Sequence, residues 1–456
     1  MLRVSGRNIV DEAGQPVTLR GCGLGGWMNM ENFITGYPGT EGQLREGLRK
    51  ILGEARSERF LELLLSNFFE RDDATFLKSA GLNSLRIPIN YRHLENDAEP
   101  FKIKEEGFRH LDRVIDICSS EGIYTIVDLH ALPGFQNQGW HSDNPTHRAF
   151  LWDHPHFQDR VINLWQRIAE RYCSNPLVAG YDVVNEPADS GGEHILPFYE
   201  RLYKAIRQVD PHHIVFLEGN RYATDFSGFP DPWPGVVYSI HDYSPAGFVD
   251  AGLYPGVSRG EYIDRSVIRS TFERRAELML SRDLPIWVGE FGPVYSGDPT
   301  TDEMRYQVLR DQLEMYETAG VHWAIWTYKD IGLQGLQVVS PDSPWIALLS
   351  PVLEKKTRLG VDAWGGLDNA IRHVMQPLED TMRSEFPNFH PYPYGQDWLV
   401  KRLVRNILFS EALVEEWCSY FDGIDDDELA RLASSFRFSE CRARDKLVGM
   451  LRECAR

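Results

Sequence analysis

Hydrophobic and polar positions along the chain form two kinds of segment that alternate: short apolar runs and amphipathic helical patterns. Short runs of apolar and β-branched residues recur eight times through roughly the first 330 residues. Several runs, such as 124–128 and 285–289, are apolar on both faces, which is typical of parallel strands covered by helices on each side. The predicted strands are Val17–Gly23, Ser84–Asn90, Tyr124–His130, Val178–Glu186, His213–Asn220, Val236–Tyr243, Pro285–Phe291 and Val321–Tyr328.

Amphipathic helical patterns separate these runs. Examples are Phe108–Ser119, Phe157–Tyr172, Ile195–Gln208, Ile268–Met279 and Glu303–Glu317. Alternation of strand and helix repeated eight times predicts an α/β fold of the (β/α)8 TIM barrel type. An open doubly wound sheet is the alternative, but no Gly-x-Gly-x-x-Gly turn leads from the first strand into a helix.

The two ends of the chain depart from this alternation. Residues 5–20 predict an N-terminal hairpin, turned at Asp11–Gly14, that closes the N-terminal mouth of the barrel. From about residue 366 the pattern becomes charged and helical, with a proline- and aromatic-rich break at Phe386–Tyr394. We therefore predict a catalytic barrel over 1–365 and a helical C-terminal subdomain over 366–456 that packs on it.

Composition narrows the classes of partner. The 456 residues carry a net charge of −19, which disfavours nucleic acid and anionic membrane surfaces and fits a neutral or cationic ligand better. No apolar run is long enough to span a membrane. No leader-like segment begins the chain and the six cysteines form no C-x-x-C pair, so we expect reduced thiols and a cytoplasmic location. Aromatic residues make the C-terminal region a candidate homo-oligomer interface, namely Trp398, Trp417 and Tyr420.

Two glutamates stand at predicted strand ends, where a barrel collects its active-site residues. Glu186 ends the fourth strand and Glu290 ends the seventh, across the mouth from it. Glycosidases use such a pair, one carboxylic acid to protonate the leaving oxygen and one carboxylate about 5–5.5 Å away to attack the anomeric carbon with retention. Glu218, at the end of the fifth strand, is expected to be a supporting or surface carboxylate.

Neighbouring residues suggest which glutamate has which role. Tyr243 is placed to hydrogen-bond Glu290, and the charge of Arg86 is expected to lower the pKa of that carboxyl further. Glu186 has no evident partner, so we expect it to keep the raised pKa of a general acid. Asn185 is positioned to hydrogen-bond a sugar hydroxyl.

These residues together resemble glycoside hydrolase family 5, over about residues 15–335. That family has Arg on strand two, His on three, Asn-Glu on four, His-x-Tyr on six, Glu on seven and Trp on eight. The matching positions, in order, are Arg86, His130, Asn185, Glu186, His241, Tyr243, Glu290 and Trp326. The resemblance implies that Glu186 is the acid/base, that Glu290 is the nucleophile, and that neither a cofactor nor a metal takes part.

Long loops predict a pocket that holds one terminal sugar, with hydroxyl ligands from Glu31, Gln136, Asn137 and Trp140. The segment that begins Gly25-Gly26-Trp27 resembles the exo-acting branch of the family, which includes exo-β-1,3-glucanases. The block 326–335 and the helical C-terminus resemble bacterial intracellular exo-β-mannosidases.

We therefore expect a retaining exo-β-mannosidase that acts on short oligosaccharides such as Manβ1-4GlcNAc. An exo-β-glucosidase or exo-β-1,3-glucanase is the main alternative, because mannose and glucose differ only at the 2-hydroxyl. A carbohydrate-binding protein without turnover is a third, which the presence of both glutamates disfavours.

Overall fold

The computed structural model describes residues 1–361 and 367–455. Its strands are β1 Arg3–Ser5, β2 Asn8–Val10, β3 Arg20–Gly23, β4 Ser84–Asn90, β5 Tyr124–Ala131, β6 Val178–Asp182, β7 Ile214–Glu218, β8 Val236–His241, β9 Gly256–Ser258, β10 Glu261–Ile263, β11 Ile286–Glu290, β12 His322–Ile325, β13 Lys329–Asp330, β14 Gln337–Val339 and β15 Cys441–Ala443.

Eight of these strands close into a barrel in the order β3-β4-β5-β6-β7-β8-β11-β12. Every neighbouring pair in the barrel is parallel. The predicted (β/α)8 fold is therefore confirmed, and each barrel strand falls on one of the eight predicted runs.

Helices surround the barrel, and short helical segments border its mouth. They span Asn32–Thr35, Glu41–Leu52, Glu54–Phe68, Arg71–Ser79, Arg109–Glu121, Phe150–Asp153, Pro155–Tyr172, Ile195–Val209, Asn220–Ala223, Arg265–Arg275, Glu277–Ser281, Pro299–Ala319, Pro344–Arg358, Arg372–Glu385, Gln396–Lys401, Phe409–Ser419, Asp426–Ser434 and Asp445–Cys454, with a π-helical turn at Arg402–Leu408. Among the described residues, no helix is both long enough and apolar enough to span a bilayer.

In several barrel strands, the hydrogen-bonded part ends before the end of the apolar run that predicted the strand. β6 stops at Asp182, although its apolar run continues to the catalytic candidate Glu186, which has a φ of 48°. That left-handed backbone leaves the extended ladder and turns the side chain toward the mouth. The pairing of β11 with β8 also shifts register between Val288 and Glu290.

The N-terminal hairpin turns earlier than predicted. Its strands β1 and β2 join at Gly6, which has a φ of 58°, and the predicted turn at Asp11–Gly14 follows as a second reversal that brings Pro16 beside Val10. Leu2 and Ile9 pack among residues at the bottom of the barrel. Closure of the N-terminal mouth by this hairpin is therefore confirmed.

The C-terminal region shares a hydrophobic core with the barrel. Trp417 is 1% exposed and packs edge-on against Tyr37 and Trp345, while β15 pairs with β14. This burial removes Trp417 from any oligomer interface. The predicted boundary at 365/366 lies outside the described residues, and the two-unit division and the homo-oligomer remain predictions.

Candidate active site

Arg86, on β4, lies fully buried at the centre of the site. Its Nε donates to Asp182 at 2.9 Å, its Nη1 to Glu290 at 2.7 Å, and its Nη2 to Asn185 at 2.8 Å and Glu218 at 3.1 Å. One planar guanidinium therefore ties together the ends of several strands, a role that suits arginine because its donors point in fixed directions.

Glu290, at the end of β11, forms part of the pocket floor. Its Oε1 accepts from Arg86, and its Oε2 accepts from the Tyr243 hydroxyl at 2.8 Å. Burial raises the pKa of Glu290 even though His241 and Arg86 act to lower it. The expected lowering was therefore wrong, because the two predicted contacts are present but the lost hydration of the carboxylate outweighs them.

Glu186 also differs from the expected electrostatics. His241 Nδ1 lies 2.8 Å from its Oε1, and His141 Nε2 lies 3.0 Å from its Oε2. Burial acts to raise the pKa of Glu186, but the hydrogen bonds and charge of these two histidines hold it well below the usual range. The predicted raised pKa was wrong because the two imidazoles could not be placed from sequence. Glu186, His241 and His141 form one hydrogen-bonded group, the Glu186–histidine cluster.

The two carboxylates are close enough for double displacement. One oxygen of Glu186, one of Glu290 and a ring nitrogen of His241 all lie within 4.8 Å of one another. Retaining glycosidases separate their carboxyl groups by about 5–5.5 Å, whereas inverting enzymes need about 6.5–9.5 Å to admit a water. The spacing fits retention. These three side chains also bring their ligand atoms close enough together for a cation, but the raised pKa of His241 favours its protonated form, which is a poor metal ligand.

Glu218 supports this pair from below. It is fully buried, and its Oε2 accepts the backbone N–H of Glu186 at 2.6 Å. Its Oε1 lies 3.1 Å from both His241 Nε2 and Arg86 Nη2. Glu218 thus holds the left-handed backbone of Glu186 and fixes the ring of His241, so of the two expected roles it has the supporting one.

Trp326 and His130 form an aromatic wall beside the carboxylates. Their rings stack 5.6 Å apart at an interplanar angle of 7°. His130 Nδ1 lies 2.7 Å from Asp128, and its Nε2 lies 3.2 Å from Glu31. Burial disfavours the imidazolium, but Asp128 and Glu31 raise the pKa of His130 to about 10. The wall therefore presents a cation and an indole face to a sugar.

Two glycines make room for Trp326. A Cβ atom at Gly23 or at Gly25 would come within 2.5 Å of ring carbons of this indole. Contacts that short do not occur between unstrained atoms, so the glycines allow the β3 end and the loop after it to lie against the ring.

Three amides expected to bind sugar lie behind the pocket surface. Gln136, Asn137 and Asn185 are fully buried. Gln136 Nε2 donates to the backbone oxygens of His130 and Asn185 at 2.6 and 2.9 Å, and Asn137 Nδ2 donates to that of Glu186 at 2.9 Å. In this structure, Gln136 and Asn137 brace the strand ends that carry the catalytic groups.

A cavity of about 780 Å³ opens above the carboxylates. Glu31 and Trp140 line it as expected, and Phe33 and Phe248 add apolar walls. The C-terminal region contributes further lining that the sequence did not predict, including Tyr394, Trp398, Arg402 and Asn406. The Trp140 indole donates to the backbone oxygen of Asn406 at 3.0 Å, which links the 131–150 loop to this region.

Two more lining residues were missed, His141 and Tyr222. His141 stands in the same loop as the predicted ligands Gln136 and Asn137, directly after Trp140. Tyr222 follows β7 with a φ of 60°, and its hydroxyl donates to Gln138 at 3.1 Å. The sequence offered a hint only for His141, which directly follows the predicted ligand Trp140. It offered none for Tyr222.

Comparison with known proteins agrees with this geometry. The family model described as Cellulase (glycosyl hydrolase family 5) matches residues 62–332, more than half of the chain. The chain belongs to this family and is a retaining glycoside hydrolase.

Individual relatives carry several names. A "Beta-xylosidase" of Phanerodontia chrysosporium is 50% identical over 469 residues, covering 100% of this chain and 98% of the relative. A "Probable glucan 1,3-beta-glucosidase A" of Aspergillus niger is 26% identical, covering 70% and 84%. Endoglucanase Cel5A of Thermotoga maritima superimposes with a TM-score of 0.50 at 20% identity, covering 68% and 89%, which agrees with the barrel fold.

Proposed function

We propose that this protein is an exo-acting β-glycosidase that releases one terminal β-linked sugar per cleavage, and that this sugar is xylose. The carboxylate pair at the bottom of a walled cavity carries the proposal. A barrel glycosidase that cleaves within a polymer needs a groove open at both ends. In this protein, residues of the C-terminal region also line the cavity, and they lie beyond the part of the chain matched by the family model. They add a wall that the matched part of the barrel does not supply, which favours a pocket over an open groove.

The choice of sugar rests on the relatives. The 50% identical relative, which aligns over the whole of this chain, is named for β-xyloside cleavage. The partial relatives named for glucan 1,3-β-glucosidase activity make a terminal glucose the second candidate. The mannosidase specificity expected from the sequence remains a third candidate.

The reaction follows from the contacts of the two glutamates. Glu290, oriented by Arg86 and Tyr243, attacks the anomeric carbon while the Glu186–histidine cluster protonates the leaving oxygen. The leaving group departs and a covalent glycosyl ester forms on Glu290. Glu186 then takes a proton from water, which cleaves the ester and releases the sugar with its original configuration.

Initial rates on 4-nitrophenyl β-xyloside, β-glucoside and β-mannoside test the sugar, with Glu290→Gln as the inactive control. The xyloside is expected to have the highest kcat/KM. A higher value for the glucoside or the mannoside would move the assignment to that sugar. Release of internal fragments from a linear polymer would contradict exo action.

Azide rescue tests the role of Glu186. Glu186→Ala is expected to regain turnover with azide on a substrate with a good leaving group and to yield the β-glycosyl azide, because the anion replaces the water that Glu186 would activate. An α-azide product would reverse the two roles.

A further inference from the structure

The leaving group of any substrate must lie beside Glu186, which protonates its oxygen. A series of rings leads away from that glutamate. His141, 3.0 Å from Glu186, packs edge-on against Tyr222 at 6.2 Å between centroids, and Tyr222 faces Tyr394 at 5.6 Å. Tyr394 packs edge-on against Trp398, also at 5.6 Å. The pocket-lining residues of 394–406, the C-terminal wall, therefore border the leaving-group side of the cavity.

The C-terminal wall is rich in cations. Lys401 and Arg405 lie 3.7 and 3.6 Å from the carboxylate of Asp368, which also lines the cavity. Arg402 has no carboxylate within ion-pair distance among the described residues. The wall therefore carries more positive than negative side chains, whereas the floor around Glu290 is dominated by carboxylates.

Arg402 has unused hydrogen-bonding capacity. Its Nε and Nη2 are shielded from solvent and have no hydrogen-bond partner within the described parts of the chain. The guanidinium lies over the Trp398 ring, 5.8 Å from its centroid. Burial lowers the pKa of Arg402 to about 10, so it remains a cation at neutral pH. A buried cation whose donors are unsatisfied is costly unless an anion completes it.

The backbone at this position is also unusual. Arg402 begins the π-helical turn that ends at Leu408. Such turns are rare and occur frequently at functional sites, where they change the direction in which side chains point. The π-helical turn and the missing hydrogen-bond partner are independent observations, and both indicate a functional role for Arg402.

We propose that Arg402 binds a carboxylate on the leaving group, so that the enzyme favours glycosides whose aglycone is an acid. The inference rests on the proposed exo-β-glycosidase function, whose leaving group occupies this side of the cavity. Arg402 is one of the residues that line the cavity. A planar carboxylate matches the geometry of a guanidinium, and such charge-assisted contacts are among the stronger hydrogen bonds.

Paired substrates test the inference. We would measure kcat/KM for the 3- and 4-carboxyphenyl β-glycosides and for the matching neutral carbamoylphenyl β-glycosides. The sugar would be the one cleaved fastest in the nitrophenyl series. The acid-to-amide ratio is expected to fall about tenfold or more from wild type to Arg402→Gln, because a hydrogen bond to a charged group is lost. Comparing ratios removes the difference in reactivity between the two leaving groups.

Arg383→Gln is the matched control. It removes the same charge from the C-terminal region, but Arg383 is exposed and pairs with Asp380 and Asp397 outside the cavity. Its ratio is expected to equal that of wild type. Arg402→Lys keeps the positive charge but loses the planar pair of donors, so it is expected to give an intermediate ratio. This variant replaces Arg402→Gln in the test if the glutamine variant does not fold.

Each outcome has a distinct meaning. An acid-to-amide ratio that is unchanged by both Arg402 substitutions, for both ring positions, would overturn the role of Arg402 while leaving the proposed function intact. An equal fall in Arg383→Gln would also overturn it, since a distant charge would then explain the effect. A wild-type enzyme inactive on every nitrophenyl β-glycoside would overturn the proposed function itself.

Discussion

Replacing Glu218 by glutamine would test whether the acid/base is positioned from below. Glu218 accepts the Glu186 N–H at 2.6 Å and lies 3.1 Å from both His241 Nε2 and Arg86 Nη2. Glutamine has nearly the same shape but no charge, and its amide donors face groups that also donate. If the new amide turns its NH2 group toward Glu186, the backbone N–H of that residue, whose φ is 48°, loses its acceptor. If it turns the other way, the NH2 group meets the donors of His241 and Arg86.

The stability cost follows from the burial of this carboxylate. Arg86 keeps three other carboxylates when Glu218 is replaced, so the cost is that of losing hydrogen bonds to a charged acceptor, about 1.5–3 kcal/mol. The free energy of unfolding is expected to fall by about that amount at neutral pH. Burial acts to raise the pKa of Glu218, but His241 and Arg86 hold it below its ordinary value. Its contribution is therefore present above the ordinary glutamate pKa of about 4.3 and is lost as the pH falls further, so the two proteins should converge in acid.

The kinetic effect should depend on the leaving group. We expect kcat/KM of Glu218→Gln to fall about 10- to 100-fold on a phenyl glycoside, which needs the acid, and only slightly on a 2,4-dinitrophenyl glycoside, which does not. Asp182→Asn is the matched control, since Asp182 is equally buried and accepts from Arg86 at 2.9 Å. Its effect should be the same for both substrates. Equal losses on both substrates in Glu218→Gln would refute the positioning role.

Two other predictions use neighbouring contacts. His141→Gln removes an imidazole that stabilises the ionised form of Glu186, so the basic limb of the kcat/KM–pH profile should move to higher pH; a limb that stays in place or moves lower would contradict this. Gly25→Ala places a methyl group within 2.5 Å of the Trp326 ring and should reduce kcat/KM at least about tenfold. Gly449→Ala, which meets nothing within 4 Å, should leave activity unchanged and slightly stabilise its helix, and equal activity of the two variants would contradict the packing argument.

The barrel and its catalytic pair were predictable because both depend on local pattern. Strands apolar on both faces form a buried parallel sheet, and chain order places Glu186 and Glu290 at the same end of it. The contact between Tyr243 and Glu290 followed from the same register, since both stand at adjacent strand ends.

What the sequence could not supply is decided by contacts between distant segments. Gln136 was a reasonable sugar ligand, but an amide that bonds backbone carbonyls looks the same in sequence as one that bonds a hydroxyl. His141 reaches Glu186 only because the 131–150 loop folds back over the mouth. The predicted directions of the pKa shifts of Glu186 and Glu290 were both reversed for the same reason. Burial raises the pKa of Glu290 and two imidazoles lower that of Glu186, and neither effect can be inferred from the residues at the strand ends.

The charges of the site depend on a single buried cation. Arg86 contacts the carboxylates of Asp128, Asp182, Glu218 and Glu290 at 2.7–3.1 Å, which is more negative charge than one guanidinium balances. This excess of negative charge disfavours further ionisation: burial, the nearby Glu218 and Asp128 raise the pKa of Asp182 well above its usual range even though Arg86 acts to lower it. Burial acts to lower the pKa of both His130 and His241, but the surrounding carboxylates outweigh it: they raise the pKa of His130 to about 10, so that it supplies further positive charge, and they raise the pKa of His241 well above its usual range. An ionised nucleophile can therefore be kept in a buried site only as part of this network, which is why its members come from so many strands.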